Sequence, residues 1–319
     1  MSTPPPPGPI PGGEFNLIRW IRENSRPNPD STILGIGDDC AILRLSPGSD
    51  LVTTTDMLMD GRHFHLEQAG ARAVGFKAMA VNISDIAAMA ARPVAALVAV
   101  ALPRKSATAV AQGLHAGMAE VAAAYGVSLI GGDTNAWDGP LVICVTLLGE
   151  STGRGPVRRA GARPGDLIYV TGPLGGSILG RHLRPAPLIA EALALNDAYP
   201  VHAMIDISDG LTSDLGHILD ESGGVGALLD EESIPIHPEA VEMSRLDGRP
   251  ALEHALNDGE DFELCVVLSP EDALDLEQRP ISPARLIRVG RIVSKPGVWM
   301  VDGSGQSRRL ESAGFDHLR

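Results

Sequence analysis

Small and apolar side chains recur at helical spacing through residues 71–91, ARAVGFKAMAVNISDIAAMAA, interrupted by Asn82, Ser84 and Asp85. A second, alanine-rich helix is predicted over 107–125. A short helix is expected just after residue 13, with Phe15, Leu17, Ile18 and Ile21 as its apolar contacts. Continuous apolar runs at 94–102, 127–130, 141–149, 167–171 and 263–268 read as buried strands. In 35–64 two shorter apolar runs flank the turn Ser46-Pro47-Gly48, as in a β-hairpin or meander. Antiparallel pairing of those runs would set Asp39 beside Asp56. Residues 204–219, MIDISDGLTSDLGHIL, read as a short strand leading into a helix.

The pattern is that of two α/β domains, which a chain of 319 residues is long enough to fill. Residues 1–13, rich in proline and glycine, form an extended tail; residues 14–150 and 151–319 are the two domains, with the boundary set near 151. Aromatic residues make up only 3% of the chain, so the cores must be aliphatic. The net charge of −14, with no Lys/Arg-rich run, argues against nucleic acid as a partner. No apolar run is long enough to span a bilayer, and the N-terminus lacks a secretory pattern, so no membrane partner is expected. Three widely spaced cysteines, Cys40, Cys144 and Cys265, read as reduced, buried thiols of a cytoplasmic protein.

The candidate chemistry is a series of aspartates at the ends of strands. Asp39 and Asp56 bracket the first hairpin, and Thr53 to Thr55 place hydroxyls beside Asp56. Asp85 interrupts an apolar helix, where an unpaired carboxylate is costly to bury. Asp133 follows Gly131-Gly132 at a strand end, and Asp206, Ser208, Asp209 and Asp214 crowd one strand-to-helix junction. Turn chemistry alone explains Asp39 and Asp133, but Asp85 beside Asn82 and Ser84 reads as metal-facing, and four acidic or hydroxyl residues within 206–214 exceed capping needs. Together they are oxygen-only donors suited to a hard cation, Mg²⁺ first. Gly172, Gly175 and Gly176, ahead of a helix start near Ser177, either cradle a phosphate or serve helix entry alone. A GxxxxGK[ST] loop, a strand–helix GxGxxG set and kinase HRD or DFG motifs are all absent.

The segments GEFNLI (13–18), GIGDDCA (35–41), TTDMLMDGRHF (54–64), KAMAVNISDIAAMAA (77–91), LIGGDT (129–134), RRAGARPGDLIYVTGPLG (158–175), HLRPAP (182–187), DISDGLTSDLGHI (206–218), GEDFEL (259–264) and GFDH (314–317) follow in this order. Together they resemble the bacterial thiamine-monophosphate kinases, of the superfamily of aminoimidazole ribonucleotide synthetase, selenophosphate synthetase and the hydrogenase-maturation dehydratase. The resemblance implies a two-domain PurM-like α/β (α+β) fold, with N-terminal sheets pairing in a homodimer and a C-terminal α/β domain closing the site.

It also implies magnesium ligands at Asp39, Thr54, Thr55, Asp56, Asp85, Asp133, Asp206 and Asp209. ATP contacts fall at Gly132, Asp133, Arg159 and Ser208, and thiamine-phosphate contacts at His63, Glu260 and Phe315. Asp56, Asp133 and Asp209 are the expected catalytic residues, with Asp38 and Asp214 behind them. Where the family usually has Gly-Gly-Glu-Asp, this chain has Asp258-Gly259-Glu260-Asp261, and GFDHL replaces the usual GYDHF.

The implied reaction is direct in-line transfer of the γ-phosphoryl of ATP to thiamine monophosphate, assisted by several Mg²⁺ ions and yielding thiamine diphosphate. Two other readings remain at the level of sequence. One is a sibling ATP-dependent enzyme with another acceptor, although no cysteine precedes Cys40 to act as the selenide enzyme's reactive group. The other is a non-catalytic nucleotide-binding homologue, which would be expected to have lost some of the carboxylates.

Overall fold

The computed structural model describes residues 14–36 and 40–311. The chain divides into two compact units. The first comprises 1–45, 55–79 and 94–148; the second comprises 46–54, 80–93 and 149–319.

The amino-terminal half runs α1 (Glu14–Asn24), β1 (Thr32–Leu34), β2 (Ile42–Leu43), β3 (Leu51–Met59), α2 (Leu66–Ala69), α3 (Ala71–Ala88), β4 (Arg92–Pro103), α4 (Ala107–Tyr125), β5 (Ser128–Trp137) and β6 (Val142–Glu150). A four-stranded sheet has the order β3-β6-β4-β5, with β4 and β5 parallel. β6 alternates strictly, burying Ile143, Val145 and Leu147. The three predicted helices form, as α1, α3 and α4, with α3 ending at Ala88 rather than at 91. α3 has no single apolar face: Val74, Ala78, Met79, Ile83 and Ile86 are all fully buried. It crosses α4 through glycines, since a Cβ at Gly75 would overlap the Leu114 carbonyl and one at Gly117 the Arg72 carbonyl.

Two expectations fail in this half. β2 pairs with β1 in a separate two-stranded sheet, while β3 lies against β6, so 35–64 is not a hairpin. β2 is two residues long with Ile42 exposed, and offers β3 far less apolar surface than β6 does. β5 does not stop at Gly131-Gly132 but continues through Asp133 and Thr134 to Trp137, in register with β4. Gly132 is explained by that neighbour: its φ is 153°, and a Cβ there would overlap the Val98 carbonyl.

The carboxy-terminal half runs β7 (Leu167–Val170), α5 (Ile189–Ala198), β8 (Ala203–Asp206), α6 (Leu211–Glu221), β9 (Gly226–Asp230), α7 (Pro238–Asp247), α8 (Ala251–Asn257), β10 (Leu264–Leu268), α9 (Pro270–Gln278), β11 (Ile287–Val293), β12 (Gly297–Val301) and β13 (Ser307–Arg309). Its seven-stranded sheet has the order β13-β12-β9-β11-β7-β10-β8, and β12 with β9 is its parallel pair. β10 is buried along its whole length, with apolar clusters on both faces. One cluster packs Ile205, Leu215, Leu229 and Met300. The other packs Tyr169, Leu195, Val266 and Leu268 with Ala87 and Ala88 of α3.

Two smaller expectations also change. Ser177 opens a single 3₁₀ turn, Ser177–Leu179, rather than an α-helix. None of the three cysteines forms a disulfide, but only Cys265 is buried, Cys40 being exposed and Cys144 half-buried.

Candidate active site

Strand β8 ends at Asp206, which is 3% exposed. Register pairs Asp206 with Leu264 on β10. The pairing continues past both strands. The Ile207 amide donates to the Glu263 carbonyl at 2.7 Å, the Phe262 amide to the Ile207 carbonyl at 2.8 Å and the Glu260 amide to the Ser208 carbonyl at 2.7 Å. Asp206, Ser208, Asp209 and Glu260 are therefore placed by one extended ladder.

The Asp206 carboxylate accepts from the Ser84 hydroxyl at 2.7 Å, and Asp85 accepts from the Thr54 hydroxyl at 2.5 Å. Ser84 and Asp85 of α3 are thus each held to a polar partner, Asp206 and Thr54. Thr54, Asp85, Arg158, Arg159, Asp206 and Glu221 line one cavity of about 440 Å³. Burial raises the Asp85 carboxyl above its ordinary range, opposed by the Thr54 bond and the charge of Arg159. Arg158 and Glu221 have no distinct sequence signal: Arg158 reads as a solvated basic residue and Glu221 as an ordinary helix end.

Behind the cavity, Asp214 in the first turn of α6 is 2% exposed and accepts from the Asp209 amide at 3.0 Å. Burial first, then the negative charge of Asp206, raises its carboxyl to about 8, so it holds a proton at neutral pH. A row of three carboxylates is thereby relieved of one charge.

The remaining candidates are not among the residues that line this cavity. Asp56 and Thr55 are on β3, whose alternation turns the Thr55 side chain to the face opposite Thr54 and Asp56. The Thr55 hydroxyl meets Cys144 Sγ at 3.4 Å and Thr146 Oγ1 at 3.0 Å. Asp133 is exposed on β5 and accepts from Asn135 Nδ2 at 3.0 Å. His63 Nδ1 accepts from the Met59 amide at 3.0 Å, which assigns its proton to Nε2. The fully buried Lys77 ammonium donates to the His63 carbonyl at 2.8 Å. Asp56, Thr55, His63, Gly132 and Asp133 belong to the first unit; Thr54, Asp85, Arg159, Asp206, Ser208, Asp209 and Glu260 belong to the second. Asp38, Asp39 and Phe315, like the 1–13 tail, lie outside the described residues.

The glycine turn does not present itself to a phosphate. The Gly175 amide donates to both carboxylate oxygens of Asp261, at 3.0 and 2.9 Å, and the Gly176 amide to Asp258 at 3.2 Å. The Gly175 and Gly176 donors are occupied from within the fold.

Among the described residues, no three acidic, histidine or cysteine side chains converge as a metal-ligand set. The donor chemistry of the cavity nevertheless fits a hard cation: carboxylates and hydroxyls line it, with neither thiolate nor imidazole.

Two family models match the chain in succession: the N-terminal domain of AIR synthase related proteins over residues 37–151 and their C-terminal domain over 163–299. Fold and site thus define an AIR synthase-related protein with a two-domain α/β architecture. The thiamine-monophosphate kinase of Rhodopirellula baltica is 41% identical over 95% of this chain and 97% of its own. That of Escherichia coli strain K12 is 38% identical over 96% and 98%. The chain belongs to the thiamine-monophosphate kinase family, and the enzyme class is that of a thiamine-phosphate kinase.

Solved structures agree. One described as AaThiL complexed with AMPPCP and TMP superposes with a TM-score of 0.74 at 29% identity, covering 96% of this chain and 97% of that one. The hydrogenase maturation protein HypE in complex with ATP reaches 0.76, covering 96% of each chain, but at 21% identity it shows the fold alone. No helix among the described residues is long and apolar enough to cross a membrane.

Proposed function

We propose that this enzyme transfers the γ-phosphoryl of ATP in line to the phosphate of thiamine monophosphate, giving ADP and thiamine diphosphate. The observation that carries the reading is the cavity in which Asp85 and Asp206 face Arg158 and Arg159 beside the Thr54 hydroxyl. The acceptor is a phosphate with a second pKa of about 6, so at neutral pH it is already mostly dianionic and needs no general base. The obstacle is the approach of two polyanions, and the residues are of the kinds that lower it.

Arg159 binds donor phosphate oxygens, with Gly132, Asp133 and Ser208 as further ATP contacts. Asp39, Thr54, Thr55, Asp56, Asp85, Asp133, Asp206 and Asp209 would hold Mg²⁺, whose charge would screen donor from acceptor. Asp56, Asp133 and Asp209 are the ligands on which turnover depends most. Thr55 serves through its backbone carbonyl, because its side chain stands on the opposite face of β3 from Asp56. His63, Glu260 and Phe315 hold the thiamine phosphate. The domains meet near residue 151.

The chain works as a homodimer through its amino-terminal sheet, a reading supported by the exposed apolar side chains Met57, Met59, Leu97 and Trp137. Sedimentation showing only monomer at micromolar concentration overturns it.

ADP release with ATP and Mg²⁺, compared across thiamine monophosphate, thiamine and no acceptor, tests the reaction. Thiamine diphosphate formed only from the monophosphate is the expected result. ADP release independent of acceptor sends the assignment to a sibling activity.

A further inference from the structure

The segment 258–262 carries Glu260 and is held in a backbone conformation that side chains seldom adopt. Glu260 and Phe262 have φ of 51° and 53°, and Gly259 between Asp258 and Glu260 has 73°. A Cβ at Gly259 would come within 2.6 Å of the Ser208 carbonyl oxygen, so that glycine is required by the neighbouring strand. Asp258 itself has φ of −68°, which any residue adopts; glycine is not needed there. Its side chain makes the contacts that a glycine at this position would lack.

Those contacts form a chain of polar groups running inward. Asp258 accepts from the Gly176 amide at 3.2 Å. Its two carboxylate oxygens lie 2.8 and 3.0 Å from Nδ1 of His254, a ring with no exposed surface. On the far side, His254 Nε2 lies 3.2 Å from Asp247 Oδ1, and Arg249 Nε binds the other Asp247 oxygen at 2.8 Å. Arg249 Nη2 also donates to Asp258 at 3.4 Å. The end of α7, the loop after it, α8 and the segment bearing Glu260 are tied together through one buried imidazole. At the other end of the segment Asp261, paired with Arg181 at 2.9 Å, holds the Gly175 amide. The Ser177 hydroxyl donates to the Gly259 carbonyl at 2.9 Å between them.

We infer that Asp258 and His254 are positioning residues that fix the Glu260 backbone for the substrate phosphate or thiazolium end. The inference rests on the reading of Glu260 as a thiamine-phosphate contact. Neither residue touches substrate. Their effect is to hold 258–262 in its bound form before substrate arrives, so ordering that segment does not reduce affinity.

Steady-state kinetics on Asp258→Gly, His254→Asn, the double variant and Glu260→Ala test this, with ATP and thiamine monophosphate varied separately. Asp258→Gly is expected to raise KM for thiamine monophosphate about tenfold, with kcat within about twofold and KM for ATP unchanged, the mark of lost binding rather than lost chemistry. Adding His254→Asn to it should raise KM little further, because two members of one network act as a unit. Asp258→Asn, which keeps an acceptor for the Gly176 amide, should recover part of the loss. Glu260→Ala separates the two layers of the argument. If it leaves KM for thiamine monophosphate unchanged, the reading of Glu260 fails and the inference falls with it. If it raises KM while Asp258→Gly does not, or if Asp258→Gly raises both KM values equally, the contact stands and the positioning role is overturned.

Discussion

The cavity at the end of β8 and the glycine turn at 172–176 are built from the same residue types, yet they use them in opposite ways. At the cavity, Asp85 and Asp206 are tethered by side-chain hydroxyls of Thr54 and Ser84, and Arg158 and Arg159 line the same space. At the turn, Asp258 and Asp261 are consumed by the backbone amides of Gly176 and Gly175, and Asp261 also by Arg181. A buried carboxylate must have partners, and the kind of partner decides what remains for a ligand. Hydroxyl tethers rotate and can donate elsewhere. Backbone amides are fixed, so a carboxylate bound to them serves the fold. The amides of Gly175 and Gly176 therefore serve the scaffold, whereas the carboxylates at the strand end keep only hydroxyl tethers.

The largest expected contrast is in catalysis. Asp206→Asn should cut kcat/KM by roughly a hundred- to a thousandfold while leaving the far-UV CD spectrum native, since it removes a carboxylate that would hold the cation on which the polyanionic transition state depends. Asp261→Asn should leave kcat within a few-fold. Comparable rates for both variants would erase the distinction between the two regions.

Stability should show the reverse. Burial holds the folded Asp261 carboxyl at about 6, above an unfolded value near 4, so the folded state binds its proton more tightly. The stability this confers is complete below about pH 4 and is lost as pH rises through 6, by an amount of about 3 kcal/mol. Urea unfolding of wild type and Asp261→Asn at pH 4 and pH 7 reads it directly. The advantage of the wild type should shrink on going to pH 7, and an advantage that grows overturns the burial argument.

Arg159→Ala sharpens the picture of the cavity. Losing a hydrogen-bonded charge there should raise KM for ATP about tenfold or more, with an unaltered melting temperature. Arg181→Ala should do the opposite, because its partners Glu239 and Asp261 are structural. The smallest effect expected is from the cation alone. Mg²⁺ at ten times its dissociation constant should stabilise the wild type by about 1.4 kcal/mol. That gain should persist in Asp261→Asn and diminish in Asp85→Asn, measured by thermal melting with and without chelator.

Local features were legible in the sequence. The helix at 107–125 formed as read, because alanine-rich periodicity is a property of the segment itself. The buried strands at 167–170 and 264–268 followed from short runs of branched apolar residues. Asp206 and Asp209 were identifiable because a strand end and a helix start are neighbours in the chain. Asp85 was marked by its incongruity within an apolar helix. Even the turning away of Thr55 from Asp56 is contained in the two-residue period of a strand.

What the tertiary structure alone decided was partnership. β2 joins β1 rather than β3, because an edge is won by whichever strand offers more complementary apolar surface, here the alternating face of β6. The glycine turn is closed by carboxylates 86 and 82 residues further on. Asp214 keeps its proton because folding buries it beside Asp206. Sequence names the donors, acceptors and charges; which of them satisfy one another depends on long-range pairing, and that is settled only when the chain buries its apolar surface and each polar group must find a partner.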